Sequence, residues 1–439
     1  MTHPMRLESP QLEKKYGFFK LMSMVFLTLF IYSMYVLAYS ERLNFISDIF
    51  FLGAIAFSLL NFIITKDGFK FDYSFFSLLL FVMYAMLTTF WAPSDTGVTG
   101  FISTLVQLFG FYLMIRINIQ DEKDLRVVLW AIYVGTVIMC LYTVSYYGVG
   151  EIISRISVGG RIGQEINQSN GMGIYCTVLN ILSLYYIMME KKYWCLISLV
   201  LSSFVMLGAG SRKSFLLMGV ALLLLFMFKS KNGIAFRFMA IAAVLIVAIY
   251  LVLEFADRES NYFLFRIAQV FEIFQDDGGT LRDDSLLTRS GMIQYGLELW
   301  SDNPVFGYGP EQYEYFYSLL HGVRRPPHST FIQVLVGYGS IGFVLFYGIY
   351  GFVYTKLIPM LKNQRKYSIL MLTLAVVFLI NDIGANMLNN KYLYLFFAIY
   401  AAYITIRLDD EKGEMLNEDP YSSTEIPYQP DTHMSGAEG

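Results

Sequence analysis

Charge is scarce in this sequence. Of its 439 residues 15% are charged and 56% hydrophobic, with a mean hydropathy of +0.51, whereas soluble domains carry about 25% charged residues. The deficit predicts a membrane protein. The charges present nearly cancel, and a formal balance of −3 lacks the basic excess that a nucleic-acid partner requires. Cysteine is almost absent. Cys140, Cys176 and Cys195 lie in apolar runs and none forms a CxxC pair, so neither a disulfide framework nor a zinc site is indicated, and all three read as buried small hydrophobes. Histidine is equally sparse. His3 and His433 fall in polar terminal segments, which leaves His321 and His328 for chemistry. No internal repeat is present.

What the chain has in quantity is long apolar runs. A membrane-spanning helix needs about 20 mostly apolar residues. Such runs occur near 18–40, 46–65, 74–92, 101–118, 126–147, 171–189, 193–209, 214–228, 234–254, 330–355, 367–386 and 390–407. The fold class expected is therefore all-α, a polytopic membrane protein of about twelve spans. The first run is too long for a signal-peptide core and follows a polar start, so it reads as an anchor. Lysine and arginine set the orientation. With residues 1–17 inside, the cytoplasmic side receives Arg6, Lys14, Lys15, Lys20, Lys66, Lys70, Lys123, Arg126, Lys191, Lys192, Lys229, Lys231, Lys356, Lys362, Arg365 and Lys366. The outer loops are expected to hold chiefly Arg42, Arg155, Arg161, Arg212, Lys213 and Lys391.

This divides the chain into spans 1–9 over 18–254, a large extracytoplasmic loop over 255–329, spans 10–12 over 330–407, and a polar, acidic tail at 408–439 that reads as disordered and cytoplasmic. The large loop exceeds a simple connector and is expected to fold as a subdomain. Its basic residues are all arginine: Arg258, Arg266, Arg282, Arg289, Arg324 and Arg325.

Arginine suits a diphosphate because its planar fork donates two charge-assisted hydrogen bonds at once. Three outer-side arginines adjoin membrane segments. Arg161 lies in GGRIGQEINQSNG, Arg212 in the turn GAGSRKSF, and Arg289 follows Thr288, a candidate cap for the helix carrying Met292, Leu299 and Trp300. A helix start adds unpaired N–H groups to such an anion site. Each arginine has a plainer reading as a contact for lipid phosphates, and the combination of Arg212, Arg289 and a histidine favours the chemical one. His328 follows Pro326-Pro327 and precedes an apolar helix, which places an imidazole at the interface, where it suits a general base. Gly339 and Gly342 behind it permit close helix packing. His321 reads as a loop residue. Asp382, near the outer end of a span, is a carboxylate at membrane depth and so a functional candidate, with structural pairing as the alternative. Tyr308, Tyr313 and Tyr315 offer rings for stacking on sugars. Asp276, Asp277, Asp283 and Asp284 form an acidic run without a surrounding nucleotide-binding pattern, and read as a solvated loop rather than a metal site. Asn167-Gln-Ser matches a glycosylation sequon incidentally.

The order of these features resembles the O-antigen ligase and O-antigen polymerase superfamily. The resemblance rests on SR at the end of a span, R…W…NPVFGYGP in the large loop, and His328-Ser329 followed by nine residues and Gly339-x-x-Gly342. It covers about residues 195–350. It implies a membrane glycosyltransferase of the bacterial cytoplasmic membrane, with its site facing outside. The donor implied is a glycan on undecaprenyl diphosphate, transferred to a saccharide acceptor with inversion and without metal, nucleotide sugar or other cofactor. Carried over by position, Arg212 and Arg289 hold the diphosphate, His328 assists deprotonation of the acceptor, and Arg161, Asp382 and Tyr308 bind substrate. Membrane lipids and other polysaccharide-assembly proteins are the further partners expected.

Two acceptors compete within that reading, a second lipid-linked glycan for a polymerase and the lipid A core for a ligase. Nothing points specifically to a core-oligosaccharide site, which favours the polymerase. A transporter of lipid-linked sugars is the rival of another class. It also needs many spans, yet no inverted repeat is visible and the chemistry-bearing groups cluster on one side.

Overall fold

The computed structural model describes residues 17–37, 43–65, 69–158, 160–163, 168–229, 284–362 and 366–417. Among these residues the chain is helical, with no strand. In chain order the helices are α1 (Phe18–Val36), α2 (Asn44–Thr65), α3 (Tyr73–Leu87), which ends in a short 3-10 turn at Thr88–Trp91, α4 (Val98–Asn118), α5 (Glu122–Tyr147), α6 (Val149–Ser157), α7 (Ser169–Glu190), α8 (Cys195–Ala209), α9 (Arg212–Lys229), α10 (Asp284–Asp302), α11 (Gln312–His321), α12 (Thr330–Lys362), α13 (Ser368–Ile383) and α14 (Lys391–Asn417).

Among the described residues, eight helical stretches are long and apolar enough to cross a membrane, which makes this a polytopic membrane protein. Of about twelve expected spans, these eight are found among the described residues. The helices Cys195–Ala209 and Ser368–Ile383 are apolar but have only 15 and 16 residues, or roughly 22–24 Å at 1.5 Å per residue. Arg212, Lys213 and Lys229 make α9 more charged than its apolar middle suggests. The run at 234–254 lies outside the described residues, as do most of the large loop and its acidic run. The last helix continues to Asn417, ten residues beyond the span expected to end at 407. Arg407 anchors this extension, pairing with Glu122 at 2.7 Å and Asp410 at 2.9 Å.

α14 forms the centre of the bundle, with every residue from Tyr392 to Ile404 no more than 2% exposed. A helix that is apolar all round is buried all round. α2 is the opposite case: Leu52, Leu59, Ile63 and Ile64 are exposed and present a face suited to lipid.

Contacts between distant loops sort the helix ends into two groups. At one end Lys366 and Arg407 pair with Glu122, Arg116 pairs with Asp72, and buried Lys20 pairs with Asp124 at 2.8 Å. Asp72 and Asp121 also cap α3 and α5 by accepting from Phe75 N and Asp124 N, the ordinary use of a carboxylate at a helix start. The other end gathers residues 91–97, 160–163, 208–213, 303–312 and 384–390. There Trp91 Nε1 donates to Gly307 O at 3.0 Å and Lys213 Nζ to Gly384 O at 3.2 Å. The candidate site lies at this second end.

Above it, α10 and α11 form a subdomain with a small core of Met292, Leu299, Tyr313, Ile332 and Val336. α10 crosses α12 at Gly296, where an added Cβ would lie 2.2 Å from Ile332 Cγ2. α10 begins at Asp284, so Thr288 and Arg289 occupy its second turn rather than its start. The expected cap at Thr288 is thereby corrected, since helix-compatible residues precede it. The three cysteines are free and buried.

Candidate active site

The turn between α8 and α9 presents the first candidate arginine. Gly210 takes a left-handed φ of +59°, Ser211 is buried, and Arg212 opens α9 half-buried. The turn sits tightly against α7, where a Cβ at Gly173 would come within 2.3 Å of Ser214 Oγ. Only a side-chain-free position admits that approach. Arg161 lies on the same turn, for a Cβ at Gly210 would meet Arg161 Cγ at 3.2 Å. Ile162 N donates to Gly208 O at 3.0 Å, and Arg155 Nη1 to Arg161 O at 3.1 Å. Two of the sequence candidates thus share one turn.

The second component is the start of α12. His328 is half-buried with φ +53°, an unusual conformation for a residue with a Cβ. Buried Ser329 follows, and its carbonyl accepts from Gln333 N at 3.0 Å. Thr330, fully buried, donates to Ala385 O at 2.7 Å and accepts from Met387 N at 2.9 Å.

Asp382 joins the two components. It has no exposed surface, and its oxygens lie 3.4 Å from Thr330 Oγ1 and 3.3 Å from Tyr350 OH. Lys213, beside Arg212, is close enough to act on it electrostatically, and the same lysine holds Gly384 O. The segment 382–387 therefore binds the arginine turn on one side and the histidine segment on the other. Direct substrate contact by Asp382 does not fit its enclosure. Its neighbours are Thr330, Tyr350 and Lys213.

Tyr308 belongs to the packing of the subdomain. Its ring meets Phe316 edge-on with centroids 4.9 Å apart, and its hydroxyl pKa is raised by burial and then by Asp302. That packing restricts the ring as a stacking platform. Arg289 lies on α10, two turns before the crossing at Gly296, and its side chain is outside the described residues. His321 ends α11 with its ring 4.3 Å from Tyr317.

Two features escaped sequence reasoning. The first is an interlock between NPVFGYGP and α12. Gly339 breaks the helix at φ +61°, ψ −163°, which frees main-chain groups on both sides of it. Tyr308 N and Gly309 N donate to Val336 O and Gly337 O at 2.9 and 2.7 Å, while Ser340 N and Ile341 N donate to Pro304 O and Val305 O at 2.8 and 3.3 Å. Gly307 and Gly339 are the touching surfaces. A Cβ on Gly339 would lie 2.3 Å from Val305 O, and one on Gly307 2.5 Å from Gly339 N. Of the two glycines expected to serve helix packing, Gly339 instead docks a loop, whereas a Cβ on Gly342 would meet Tyr338 Cβ at 2.1 Å and Phe81 of α3 at 3.6 Å. The second feature is Glu311, with φ +63°, in a cleft lined also by Glu314, Pro327 and Gln333. Burial, and then neighbouring Glu314, push its carboxyl up to about 7, with Arg324 acting in the opposite direction.

No curated protein sequence matches the chain. Residues 197–347 match the family model described as O-Antigen ligase. This interval contains the Arg212 turn, the NPVFGYGP loop, His328 and the glycine break, and through it the chain carries a domain of the O-antigen ligase and polymerase superfamily.

Proposed function

We propose that this protein transfers a glycan from undecaprenyl diphosphate to a saccharide acceptor on the outer face of a bacterial cytoplasmic membrane, as a polymerase of surface polysaccharide. The observation that carries the reading is the single segment, 382–387, holding both the arginine turn and the histidine segment. An anion cradle and a base are useful together only if a leaving group and an attacking hydroxyl meet between them.

The acceptor oxygen attacks the anomeric carbon from the face opposite the diphosphate. As the new C–O bond forms, the bond to the phosphate oxygen breaks, its electron pair passes to the diphosphate, and the hydroxyl proton passes to the imidazole of His328. Charge on the diphosphate grows along this path. Fixed guanidinium groups at Arg212 and Arg289 therefore stabilise the transition state more than the ground state, with Arg161 adding positive charge on the same turn. Asp382 and Lys213 position these groups without touching the reacting atoms. The donor's own leaving diphosphate supplies the driving force, so no cofactor enters the scheme.

Helix length supports an interfacial site. A hydrocarbon core of about 30 Å exceeds α8 and α13 by several ångströms, which recesses the Arg212 turn and Asp382 to just beneath the lipid phosphates. A prenyl tail in the bilayer and a sugar in water require a site at that depth. The lysine distribution supports an outward-facing orientation of this end. The polymerase is favoured over the ligase because no feature selects a lipid A core.

The test is transfer by purified protein in lipid vesicles. Arg212→Ala should stop transfer at normal protein level, with Arg212→Lys restoring only part because the bidentate fork is lost. His328→Ala should lower the rate by about 10²–10⁴-fold. Normal transfer by both alanine variants would leave the arginines as lipid contacts and move a transporter ahead. The glycan of a deletion strain separates the two transferases: single repeats on the lipid core indicate a polymerase, and unlinked long chains a ligase.

A further inference from the structure

A groove of about 390 Å³ opens between α1, α2, α4, α7 and the start of α14, within the roughly 300–1,000 Å³ range of small-molecule sites. None of the residues assigned above lines it. Its polar groups lie toward the site end: Ser47 and Asp48 in the first turns of α2, and Asn389, Asn390 and Lys391 where α14 begins. Gln107 lies roughly 14 Å into α4 at 1.5 Å per residue. Phe51 and Phe111 line the deeper part, and Tyr175 and Tyr392 form one wall with ring centroids 4.2 Å apart.

The chemistry of the lining selects a class of ligand. Ser47 is 3% exposed, and its hydroxyl has no hydrogen-bond partner among the described residues. Asp48 and Lys391 both face the groove, yet no ion pair closes between them among the described residues. A carboxylate beside a lysine disfavours a bare phosphate, whereas amides, hydroxyls and tyrosine rings suit a neutral polyhydroxyl group. Polar above and aromatic below, the groove matches an amphiphile with a sugar head and an apolar tail.

The groove also adjoins the candidate active site. Asn389 and Asn390 continue the segment whose Ala385 and Met387 hold Thr330. Tyr175 stands two residues beyond Gly173, the position packed against the Arg212 turn. Two residues correspond to about 200° around a helix, so groove and arginine turn flank opposite sides of α7, roughly one helix diameter of 10 Å apart.

We propose that this groove holds the acceptor, a second lipid-linked saccharide entering from the membrane, with its sugars among Ser47, Asp48 and Asn389 and its tail passing Gln107 against Phe51 and Phe111. The proposal rests on the polymerase reading above, in which donor and acceptor are both lipid-linked. It gives the two substrates separate entrances on either side of α7.

The experiment places a photo-crosslinking amino acid at Gln107, inside the groove, or at Ile49, an exposed neighbour outside its lining. Full-length protein in phosphatidylcholine vesicles is irradiated with radiolabelled undecaprenyl-diphosphate-linked repeat unit extracted from a deletion strain. Labelling should be strong at position 107 and weak at position 49, and unlabelled lipid-linked repeat should compete with it. Asp48→Leu should reduce it about tenfold through loss of a charged hydrogen-bond partner, and Ser47→Phe, which fills the groove, should reduce it similarly. Equal labelling at both positions, displacement by added phosphatidylethanolamine, or labelling unaffected by both substitutions would each overturn the proposal. Arg212→Ala should leave labelling at 107 intact. Normal transfer by that variant would sink the transferase reading without altering the groove result, so the two failures are distinguishable.

Discussion

Replacing Gly339 by alanine should separate the NPVFGYGP loop from α12 without unfolding the bundle. The added Cβ would lie 2.3 Å from Val305 O and 2.4 Å from Val305 C. Both are backbone atoms and cannot rotate away. The conformation at φ +61°, ψ −163° is nearly exclusive to glycine and adds about 1–3 kcal/mol for any other residue. Relief comes from undocking the loop, which breaks the four main-chain hydrogen bonds that cross the interlock. At about 1 kcal/mol net for each bond, the loss is about 4 kcal/mol. Amide exchange governed by local opening should accelerate by nearly three decades, since about 1.4 kcal/mol corresponds to a factor of ten. Hydrogen–deuterium exchange of peptides covering 304–309 and 336–341 is the assay, and both should gain deuterium together. Gly351 lies on the same helix with nothing within 4 Å of an added Cβ, so Gly351→Ala is the matched control and should exchange as wild type. Wild-type protection in Gly339→Ala would refute the reasoning, because the loop and the helix break would then be independent.

Asp382→Ala should lower thermal stability by about 1–3 kcal/mol, the cost of leaving the buried Tyr350 hydroxyl without its acceptor, and should lower transfer as well. Asp382→Asn should keep the fold but lose the charge that Lys213 feels; wild-type transfer by that variant would remove this positioning role. Glu311 should make stability depend on pH. Its folded carboxyl stands at about 7 against an ordinary 4.5, so the folded state holds the proton more tightly. That contribution is complete below 4.5 and is lost as pH rises through 7. Melting in detergent should therefore fall between about pH 5 and 8, and Glu311→Gln should flatten the trend; an unchanged profile would show that the carboxyl is hydrated. Alkaline phosphatase fused after about residue 280 should be active and after about residue 365 inactive, as the lysine asymmetry requires; the reverse would invert the orientation.

The bundle was legible because each helix announces itself locally. Runs such as 44–65 and 98–118 need only length and hydropathy to be recognised, and the capping carboxylates Asp72 and Asp121 mark two starts. The ends were less legible. α14 runs past Arg407 because Glu122, from a distant helix, holds that arginine in an ion pair, and no periodicity within residues 408–417 records it. The start of α10 at Asp284 was missed for a related reason, since Thr288 is a good cap by type but the preceding residues also tolerate helix.

At the candidate site, residue type singled out Arg212, Arg161 and His328, because arginine beside a membrane segment suits a diphosphate and the sequence has only four histidines. What joins them was hidden. Lys213 and Gly384 are 171 positions apart, and Thr330 and Asp382 are 52 apart. Their meeting depends on two helices too short to cross a full bilayer alone. A carboxylate at membrane depth reads from sequence as a substrate ligand, but its full burial turns it into a brace between two loops. The glycines tell the same story in backbone form. Gly339-x-x-Gly342 has the spacing of a helix-packing motif, and the structure uses Gly339 to stop the helix and expose carbonyls and amides to a loop that has its own glycine at the contact. Candidate side chains are visible as types, whereas the main-chain device that docks the loop on α12 exists only as a pair of glycines and becomes readable once both partners are in place.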